Sequence, residues 1–574
     1  MTSSSTPSSS LLSRWSKAKQ PETLMEEVFG EQGLLARQMP GFEHRPEQIT
    51  MAQAVARAVT KGRKVVIEAG TGTGKSLAYL IPLILWATDT GNRVIISTGT
   101  KTLQHQLLEK DLPLIKKTLG LKFNAALCLG AENYLCQRRY KAWLASRESF
   151  QGGKIARNRI VQWAKHTRTG IKAEIDVHPE TWRQICRNTD LCPLHLCNKE
   201  PSCPYNRARQ QWERAHLLVA NHYLFFANIV ARGSVLPDYG AVVFDEAHQL
   251  EDVATEYLGL EVSNFALERY LNTLHHPKTG RGLCTLFSYI EPELREELRQ
   301  RTTEMRRRAA ALFDAILEKY PGSSERVRMR QPVQGDPLTV EGLKQLVGTL
   351  KQVRKAITQP DDQIEVDAAL SGAQDLLFRL ETILLQKRAE AVYWLEVDRS
   401  AGRLNPEAVL LEGVAERRNP RVSLHMAPLS VAEALDRSVY QQTGPVILVS
   451  ATLSVAGQLD YTCERLGLEQ AEKVLLPHSF DYQRRVMLWV DPSAPDPAQG
   501  RQHQAYLIEQ LDRLLRIVPG GTFVLFTSYR MLDSVFFELK KKWETDGAPE
   551  GKDMLLLRHG QAPREELLDE FRAV

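Results

Sequence analysis

The sequence has few cysteines for its length and no long hydrophobic run. Eight cysteines in 574 residues do not make a disulfide scaffold, which favours a reducing cytosol. The longest apolar stretch, residues 77–87, is too short to span a membrane, so we expect no membrane association. Residues 1–20 are serine-rich, basic and free of acids; they resemble a transit peptide but lack the apolar core of a secretory signal. We therefore predict a cytoplasmic protein in which residues 1–22 are a disordered tail.

The overall charge says little about partners, whereas its distribution is informative. The chain is 43% apolar and 25% charged, as in ordinary soluble proteins, and it is too long for one hydrophobic core. Its net charge is only +5. Residues 134–215, however, contain 16 lysines and arginines against 7 aspartates and glutamates. This excess is typical of a polyanion-binding face, although a solvated surface without a ligand has the same composition.

Short apolar segments that end in polar residues predict a buried parallel sheet, since ligands of such sheets bind at the carboxyl ends of the strands. These segments are 64–68, 93–97, 241–244 and 445–449. Two insertions, one rich in cysteine and basic residues and one with long helical patterns, interrupt the sheet. After Thr452 a second α/β unit begins, and its clearest predicted strand is 523–528.

Residues 69–76 have the pattern of a phosphate-binding loop between a strand and a helix. The loop reads Ala69, Gly70, Thr71, Gly72, Thr73, Gly74, Lys75 and Ser76. Its glycines let backbone N–H groups curl around phosphates at the positive end of the helix. Lys75 would reach the β- and γ-phosphates, and the Ser76 hydroxyl would bind Mg²⁺. A structural glycine turn is the alternative, but the flanking strand and helix favour an ATP site.

An acidic pair follows the third apolar segment. Asp245 is predicted to hold Mg²⁺, and Glu246 to orient and polarise the attacking water. With Ala247, His248 completes a DEAH box, whereas acids at a strand end without a phosphate loop would usually be solvated. Gln48, which lies upstream of the phosphate loop, is predicted to read the adenine edge, although a surface glutamine is the alternative.

Four cysteines cluster between the two nucleotide motifs. They are Cys136 and the spaced set Cys192-x4-Cys197-x5-Cys203. Four thiolates can hold Zn²⁺ or a [4Fe–4S] cluster, and the absence of a Cys-x2-Cys knuckle favours iron–sulfur. Cys186 remains an alternative ligand, and unliganded buried cysteines remain the alternative for the whole set.

Together these motifs resemble one family, the DinG/YoaA-type bacterial relatives of the XPD helicases. The likeness covers nearly the whole chain, in the expected order and spacing. The matching segments are Arg45–Gln48, Glu68–Ser76, Ser97–Leu107, Asn133–Cys136, the Cys192, Cys197 and Cys203 set, Val219–Phe225, Asp245–His248, Ala427–Ala432 and Ser450–Leu453.

The resemblance implies an α/β fold with two RecA-like P-loop domains, the second one incomplete, an iron–sulfur insertion and a helical Arch-like insertion. The implied parts are motor domain 1 (23–133, 216–259 and 431–456), the iron–sulfur insertion (134–215), the Arch-like insertion (260–430) and a partial motor domain 2 (457–574).

The implied activity is that of an ATP-dependent 5′→3′ DNA helicase in DNA repair or replication rescue. The implied cofactors are ATP, Mg²⁺ and a [4Fe–4S] cluster. The implied partners are single-stranded and forked DNA together with replication or repair proteins, and the protein is expected to be a monomer.

The resemblance also implies roles for single residues. Thr98 and the segment 100–104 fall on a motif that touches the DNA backbone. Ser450 and Thr452 fall on the motif that couples hydrolysis to movement, and residues 527–528 on a phosphate-contacting motif.

Aromatic residues among the basic charges of the iron–sulfur insertion have two interpretations. Tyr134, Tyr140 and Trp143 would stack on bases, or they would pack a small core.

The family's last motifs, Trp-Glu-Gly-Val-Asp and Gln-x-x-Gly-Arg-x-x-Arg, are not found before Val574. The second of these supplies an arginine finger, which strongly accelerates hydrolysis. We therefore expect a fragment of a longer product that binds ATP and DNA weakly and hydrolyses ATP poorly. The alternative function is that of a truncated, catalytically impaired iron–sulfur protein that binds ATP and single-stranded DNA. A nuclease-bearing relative is disfavoured by the short N-terminus.

Overall fold

The computed structural model divides the chain into two compact units, Met1–Ser479 and Phe480–Val574. The described residues are 7–145, 153–189, 191–192, 202–287, 289–320, 326–332, 337–398, 420–477, 480, 482–518, 521–547, 555–562 and 564–573. Within these ranges, no helix combines the length and the apolar character needed to cross a bilayer.

The strands of the first unit form two sheets. In chain order they are β1 Lys64–Glu68, β2 Val94–Thr98, β3 Ala125–Leu127, β4 Leu217–Asn221, β5 Ala241–Asp245, β6 Leu260–Ser263, β7 Arg326–Arg328, β8 Ala391–Asp398, β9 Arg421–Pro428, β10 Val446–Ser450 and β11 Glu472–Leu475.

The helices of the first unit lie around and between these strands. They are α1 Pro7–Lys17, α2 Leu24–Phe29, α3 Leu34–Gln38, α4 Pro46–Lys61, α5 Lys75–Thr90, α6 Lys101–Gln106, α7 Leu112–Leu119, α8 Gln137–Ala145, α9 Gly153–His166, α10 Pro179–Ile185, α11 Pro204–Glu213, α12 His222–Val230, α13 Leu250–Leu258, α14 Asn264–Leu274, α15 Leu283–Leu286, α16 Pro292–Lys319, α17 Pro337–Ala356, α18 Pro360–Leu384, α19 Ala432–Leu435 and α20 Asp460–Leu466.

A seven-stranded parallel sheet forms the centre of the first unit, in the order β11-β1-β10-β5-β2-β4-β3. Strands β2, β5 and β10 are buried along their whole length, as continuous apolar runs in a parallel sheet should be. The prediction of an α/β fold with a parallel sheet is therefore confirmed. In the register of the sheet, Glu68 lies opposite Ser450, and Val449 lies opposite Asp245. The phosphate loop and the acidic pair thus begin on either side of β10.

The second insertion contains an antiparallel sheet in addition to the predicted helices. The sheet has the order β6-β9-β8-β7. Along β8, Tyr393, Leu395 and Val397 are buried, and they share one hydrophobic core with residues of α14, α16, α17 and α18. The helical interpretation was incomplete because β6 and β9, which pair in space, are separated by more than a hundred residues in sequence, and local patterns do not report such pairing.

The N-terminal segment is ordered from Pro7 onward, which contradicts the prediction of a disordered tail over residues 1–22. Leu11 and Trp15 on α1 are 2% and 3% exposed and belong to the core of the first unit. Residues four positions apart share one face of a helix, so this pair anchors α1. Ser16 also contacts Asp89 near the end of α5.

The boundary after Thr452 also differs from the predicted one. Residues 457–479 were assigned to the second motor domain, but β11 pairs in parallel with β1 of the first sheet. The backbone N–H of Leu476 donates to the Glu68 carbonyl at 3.0 Å. This segment therefore completes an edge of the first sheet.

The second unit consists of helices around a small core. They are α21 Tyr482–Arg485, α22 Gly500–Ile517, α23 Tyr529–Asp546 and α24 Arg564–Ala573. Leu515, Leu539 and Trp543 form the core. The predicted strand over 523–528 was wrong, since the described residues of this unit contain no strand and Leu525 is 92% exposed. An apolar segment forms a strand only where a neighbour accepts and donates its hydrogen bonds.

Candidate nucleotide site and cysteine cluster

The phosphate loop curls around its own lysine at the end of β1. Gly72 and Gly74 have φ values of 82° and 79°, in the left-handed region that favours glycine. The Thr73 hydroxyl donates to the Gly70 carbonyl at 2.7 Å. Lys75 Nζ donates to the carbonyls of Ala69 and Gly70 at 3.1 and 3.4 Å, so its charge lies inside the curl of the loop. Thr71 is exposed, and Ser76 follows at the start of α5, whose N-terminus favours anions.

Gln48 contacts the phosphate loop directly. Its side chain is 2% exposed, and its Nε2 donates to the Gly74 carbonyl at 3.0 Å. A Cβ at position 74 would lie 2.2 Å from this Nε2, so a side chain there would displace the Gln48 amide from the loop. The Oε1 of Gln48 is buried and lacks a hydrogen-bond partner in the described part of the chain. A surface role for Gln48 is therefore excluded, whereas its reading of adenine stays a prediction.

The two acids stand at the end of β5 in different environments. Asp245 is 6% exposed, and Glu246 adopts a left-handed φ of 57°, which turns the chain sharply after the strand. Burial raises the pKa of Asp245 to about 6; the Glu246 charge adds to this rise, and the Lys75 charge opposes it. A buried carboxylate with a negative neighbour is a suitable ligand for a divalent cation.

His248 connects the acidic pair to β10. Its Nδ1 lies 2.8 Å from Ser450 Oγ and 3.4 Å from Glu246 Oε2. Ser450 is fully buried, and its carbonyl accepts a hydrogen bond from the Ala69 N–H at 3.0 Å. Thr452, in contrast, is exposed. The last residue of β10 therefore contacts both the phosphate loop and the DEAH segment.

Tyr79 is a site residue that the sequence analysis missed. It is fully buried on α5, and its hydroxyl donates to Asp245 Oδ2 at 3.3 Å. Burial and the Asp245 carboxylate hold the pKa of Tyr79 well above its usual value. Asp111 lies on the same side of the site. Burial raises the pKa of Asp111, although hydrogen bonds from Ser76 and Gln106 lower it in part. The position of Tyr79, four residues after Lys75 on a helix, is the signal that could have indicated it.

Glu68 is a second residue that the analysis missed as a functional group. Its Oε2 accepts hydrogen bonds from the backbone N–H groups of Leu453 and Ser454, the latter at 2.5 Å. Its Oε1 accepts from the Ser454 hydroxyl at 2.8 Å. A buried carboxylate at the base of the phosphate loop thus holds the loop that follows Ser450.

We expect Glu68→Ala to lower the free energy of unfolding by about 2–5 kcal/mol, because two backbone N–H groups lose their acceptor where water has little access. Ser454→Ala removes only the hydroxyl contact and is expected to cost about 1 kcal/mol. Urea unfolding followed by circular dichroism measures both. Equal effects of the two substitutions would contradict the role assigned to the carboxylate.

The predicted DNA-contacting segment divides into exposed and buried residues. Thr100 Oγ1 caps α6 by accepting from the Leu103 N–H at 3.3 Å, and Lys101 is exposed. Thr98 and Gln104 are buried; their side chains donate to carbonyls of Thr100 and Val219, so they support the segment from within.

A buried histidine links this segment to the acidic pair. His222 is 0% exposed, and its Nδ1 lies 2.7 Å from Ser97 Oγ at the end of β2. Burial lowers the pKa of His222 to about 4, and this effect outweighs the hydrogen bonds with the backbone of Asp245 and Glu246, which raise it. The ring is therefore neutral and lies between the two strand ends.

In the second unit, the Ser528 hydroxyl accepts from the Met531 N–H at 3.3 Å and caps α23. Thr527 and Ser528 are both exposed. Their predicted phosphate contact stays a prediction.

Three of the four predicted cluster ligands share one buried environment. Cys136, Cys192 and Cys203 are all less than 10% exposed and belong to the same apolar cluster. Cys136 Sγ lies 3.0 Å from Cys192 Sγ, and this hydrogen bond lowers the pKa of Cys136 against the effect of burial. Cys197 lies outside the described residues. In the ranges that are described, no three side chains are gathered as metal ligands.

Cys186 occupies a different environment from these three. Its Sγ donates to the Arg183 carbonyl at 3.8 Å, and burial raises its pKa. It packs in the small core of the insertion with residues such as Leu135 and Ile185.

The aromatic residues of the insertion are buried. Tyr134, Tyr140 and Trp143 are 2%, 8% and 5% exposed. Tyr140 stacks on Trp143, and Tyr134 packs edge-on against Tyr205. The core interpretation therefore holds for all three, and base stacking by these rings was the wrong alternative.

The chain is similar to known helicase families. The family described as DEAD/DEAH box helicase matches residues 49–144, and the family described as DEAD_2 matches residues 131–267.

Curated relatives are similar over most of their length. The chain is 31% identical to ATP-dependent DNA helicase YoaA of Escherichia coli, over an alignment of 539 positions that covers 88% of this chain and 75% of that protein. It is 29% identical to ATP-dependent DNA helicase YoaA of Haemophilus influenzae, covering 96% of this chain and 80% of the relative. It is 27% identical to ATP-dependent DNA helicase DinG of Photobacterium profundum, covering 89% and 78%.

Among solved structures, a chain titled XPD_Helicase is similar, with 14% identity and a TM-score of 0.43. The likeness covers 86% of this chain and 74% of that one.

Proposed function

This chain belongs to the YoaA/DinG family of ATP-dependent DNA helicases, and from that premise we propose that it moves 5′→3′ along single-stranded DNA. We propose forked DNA as its substrate and DNA repair or replication rescue as its role, in contact with replication or repair proteins. The observation that carries the proposal is the arrangement around β10. The phosphate loop, Ser450 and the DEAH segment meet there, at the carboxyl ends of neighbouring parallel strands.

Each group around β10 has a proposed task in ATP hydrolysis. Lys75 binds the β- and γ-phosphates, and Ser76 and Asp245 bind Mg²⁺. Glu246 orients and polarises the attacking water. The contact of His248 with both Glu246 and Ser450 supports its role as a link between hydrolysis and the loop after β10.

Gln48 is proposed to read the adenine edge through its free acceptor. Its Nε2 is engaged by Gly74, which leaves the buried Oε1 for the exocyclic amine of adenine.

We further propose that Cys136, Cys192, Cys197 and Cys203 hold a [4Fe–4S] cluster. Thiolates are the ligands of such clusters, and a bound cluster holds a loop-rich segment in one shape. The burial of three of these thiols in one apolar environment, and the contact between two of them, support this ligand set. The separate packing of Cys186 argues against it as a ligand. The Arg187 side chain, which donates to the Cys192 carbonyl at 2.9 Å, would brace the same segment.

The test measures ATP hydrolysis with and without single-stranded DNA, and unwinding of forks that carry either a 5′ or a 3′ tail. We expect DNA to raise the low hydrolysis rate that the missing arginine-finger motif implies for this chain, and we expect the 5′-tailed fork to be preferred over the 3′-tailed one. Glu246→Gln should lower the DNA-stimulated rate by about 100-fold or more, because it removes the group that polarises water.

Asp252→Asn is the matched control, since Asp252 is an exposed acid in the first turn of α13 near the same strand end. It should keep the unmodified rate. Hydrolysis that does not respond to DNA, or a preference for the 3′-tailed fork, would refute the proposed activity.

A further inference from the structure

A cavity of about 450 Å³ lies beside β7, the edge strand of the antiparallel sheet. Three arginines line it: Arg328, Arg330 and Arg388. The other lining residues are neutral, so no acid faces the cavity within the described part of the chain. The cavity is thus a concave surface with three positive charges.

The strand period places two of these arginines on one face. Along β7 and its continuation, Val327 and Met329 point toward the core, and Met329 is 7% exposed. Arg328 and Arg330 alternate with them and are exposed. Because successive side chains of a strand point to opposite faces, both guanidinium groups stand on the outer face of the sheet.

The third arginine comes from a turn that is fixed to the same strand. The Tyr393 hydroxyl accepts from the Arg388 N–H at 2.8 Å and donates to the Arg388 carbonyl at 3.0 Å. Gln386, which has a left-handed φ of 48°, donates from Nε2 to the Met329 carbonyl at 3.0 Å. These contacts hold the Arg388 backbone in place, so the cavity wall is preformed.

The cavity arginines differ from several other arginines of this insertion, which have acidic partners. Arg326 pairs with Glu396 at 2.6 Å, and Arg306 pairs with Glu268 at 3.0 Å. Arg307 and Arg308 share Glu304 at 2.8 and 2.7 Å. The three cavity arginines form no ion pair with any residue that the structure describes. Like charges gathered without a counterion repel one another, and a bound anion relieves this repulsion.

We propose that this cavity binds the phosphodiester backbone of single-stranded DNA, an inference that rests on the proposed function. Guanidinium groups match phosphate oxygens in pairs. The ring of Tyr393 is 4% exposed, and its hydroxyl is already engaged, so the cavity offers no aromatic face on which a base could stack. The contact is therefore to phosphate and independent of base sequence.

The position of the cavity agrees with this ligand. It lies where β8 begins: Ala391 is paired with Pro428, and the Leu429 N–H donates to the Glu390 carbonyl at 3.1 Å. From Pro428 the chain returns through α19 to β10 of the seven-stranded parallel sheet. The cavity therefore stands at the end of the insertion that is joined to the motor domain.

The test measures binding of a labelled oligothymidylate to the whole chain by fluorescence anisotropy, without nucleotide, over a series of salt concentrations. For the double variant Arg328→Ala/Arg388→Ala we expect roughly tenfold weaker binding at low salt. We also expect the slope of log K against log salt to shrink by about 1.4, since each phosphate contact on a single strand contributes about 0.7. An oligodeoxycytidylate should show the same loss.

The matched control is Arg326→Ala/Arg307→Ala, which removes the same charge from arginines that have acidic partners. It should keep the wild-type slope. An equal loss in the control, or no loss in the cavity variant, would overturn the inference and leave the proposed function standing. A wild-type chain that binds ATP but no oligonucleotide would instead refute the proposed function and this inference with it.

Direct titration of the protein with inorganic pyrophosphate, followed by calorimetry, distinguishes a small-anion site from a DNA site. If the cavity variant loses pyrophosphate binding but binds the oligonucleotide as the wild type does, the ligand is a small anion and the assignment to DNA is wrong.

Discussion

Replacing Lys75 by alanine is expected to weaken ATP binding by about 10- to 100-fold, because charged hydrogen bonds to phosphate are worth about 1.5–3 kcal/mol. In the structure, Lys75 Nζ donates to two carbonyls of its own loop, so it already lies where phosphates would be bound. Equilibrium titration with a fluorescent, non-hydrolysable ATP analogue in the presence of Mg²⁺ measures the loss. The readout is binding, so it does not depend on how fast the chain hydrolyses ATP.

Lys122→Ala is the control for this substitution. Lys122 is an exposed lysine just before β3, at the far edge of the same sheet, and should leave the affinity unchanged. Lys75→Arg should keep the charge but restore little affinity, because the tightly curled loop suits a compact ammonium group. Unaltered analogue binding by Lys75→Ala would mean that residues 69–76 are a structural turn, the alternative interpretation of their sequence.

Cys136→Ser is expected to remove the iron from the protein, from about four irons per chain to almost none, because a [4Fe–4S] cluster needs all four thiolates. The hydroxyl that replaces the thiol is a poor ligand for iron, and the contact with Cys192 would be lost as well. Anaerobic purification, iron counting and the absorbance of the iron–sulfur band measure this result. The surrounding segment should also become more sensitive to proteolysis.

Two further cysteines serve as controls for this experiment. Cys284→Ser changes a buried thiol in the core of the other insertion and should leave the iron content unchanged. Cys186→Ser tests the alternative ligand, and we expect it to retain iron because its thiol packs apart from the other three. One zinc ion per chain in the wild type, or full iron content in Cys136→Ser, would be incompatible with the proposed cluster.

The comparison of sequence and structure shows which kinds of signal are local. The order of strand, glycine loop and helix around Lys75 follows from consecutive residues. In the structure the strand and the helix lie at the predicted positions. The apolar segment at 523–528 has the same kind of local pattern but forms no strand, because pairing depends on neighbours. The pair of Leu11 and Trp15 was readable as one helix face, yet the serine-rich composition around it favoured a tail.

In the candidate site, too, some features follow from local sequence motifs and others depend on residues that are distant in sequence. Lys75, Asp245, Glu246 and His248 belong to short motifs, and the register of the sheet brings the two motifs to either side of β10. Glu68 was visible as the first residue of a motif, but its carboxylate matters because Leu453 and Ser454 approach it from almost four hundred residues away.

By itself, the sequence determined the class of the fold, the nucleotide motifs and the family, because these depend on residue types at fixed spacing along the chain. Only the tertiary structure decided which polar groups share a site. It buried His222 against Ser97, separated Cys186 from Cys136, and left the cavity arginines without acidic partners. The physical reason is that burial, hydrogen bonding and charge compensation are properties of neighbours in space, and residues far apart in sequence supply most of those neighbours.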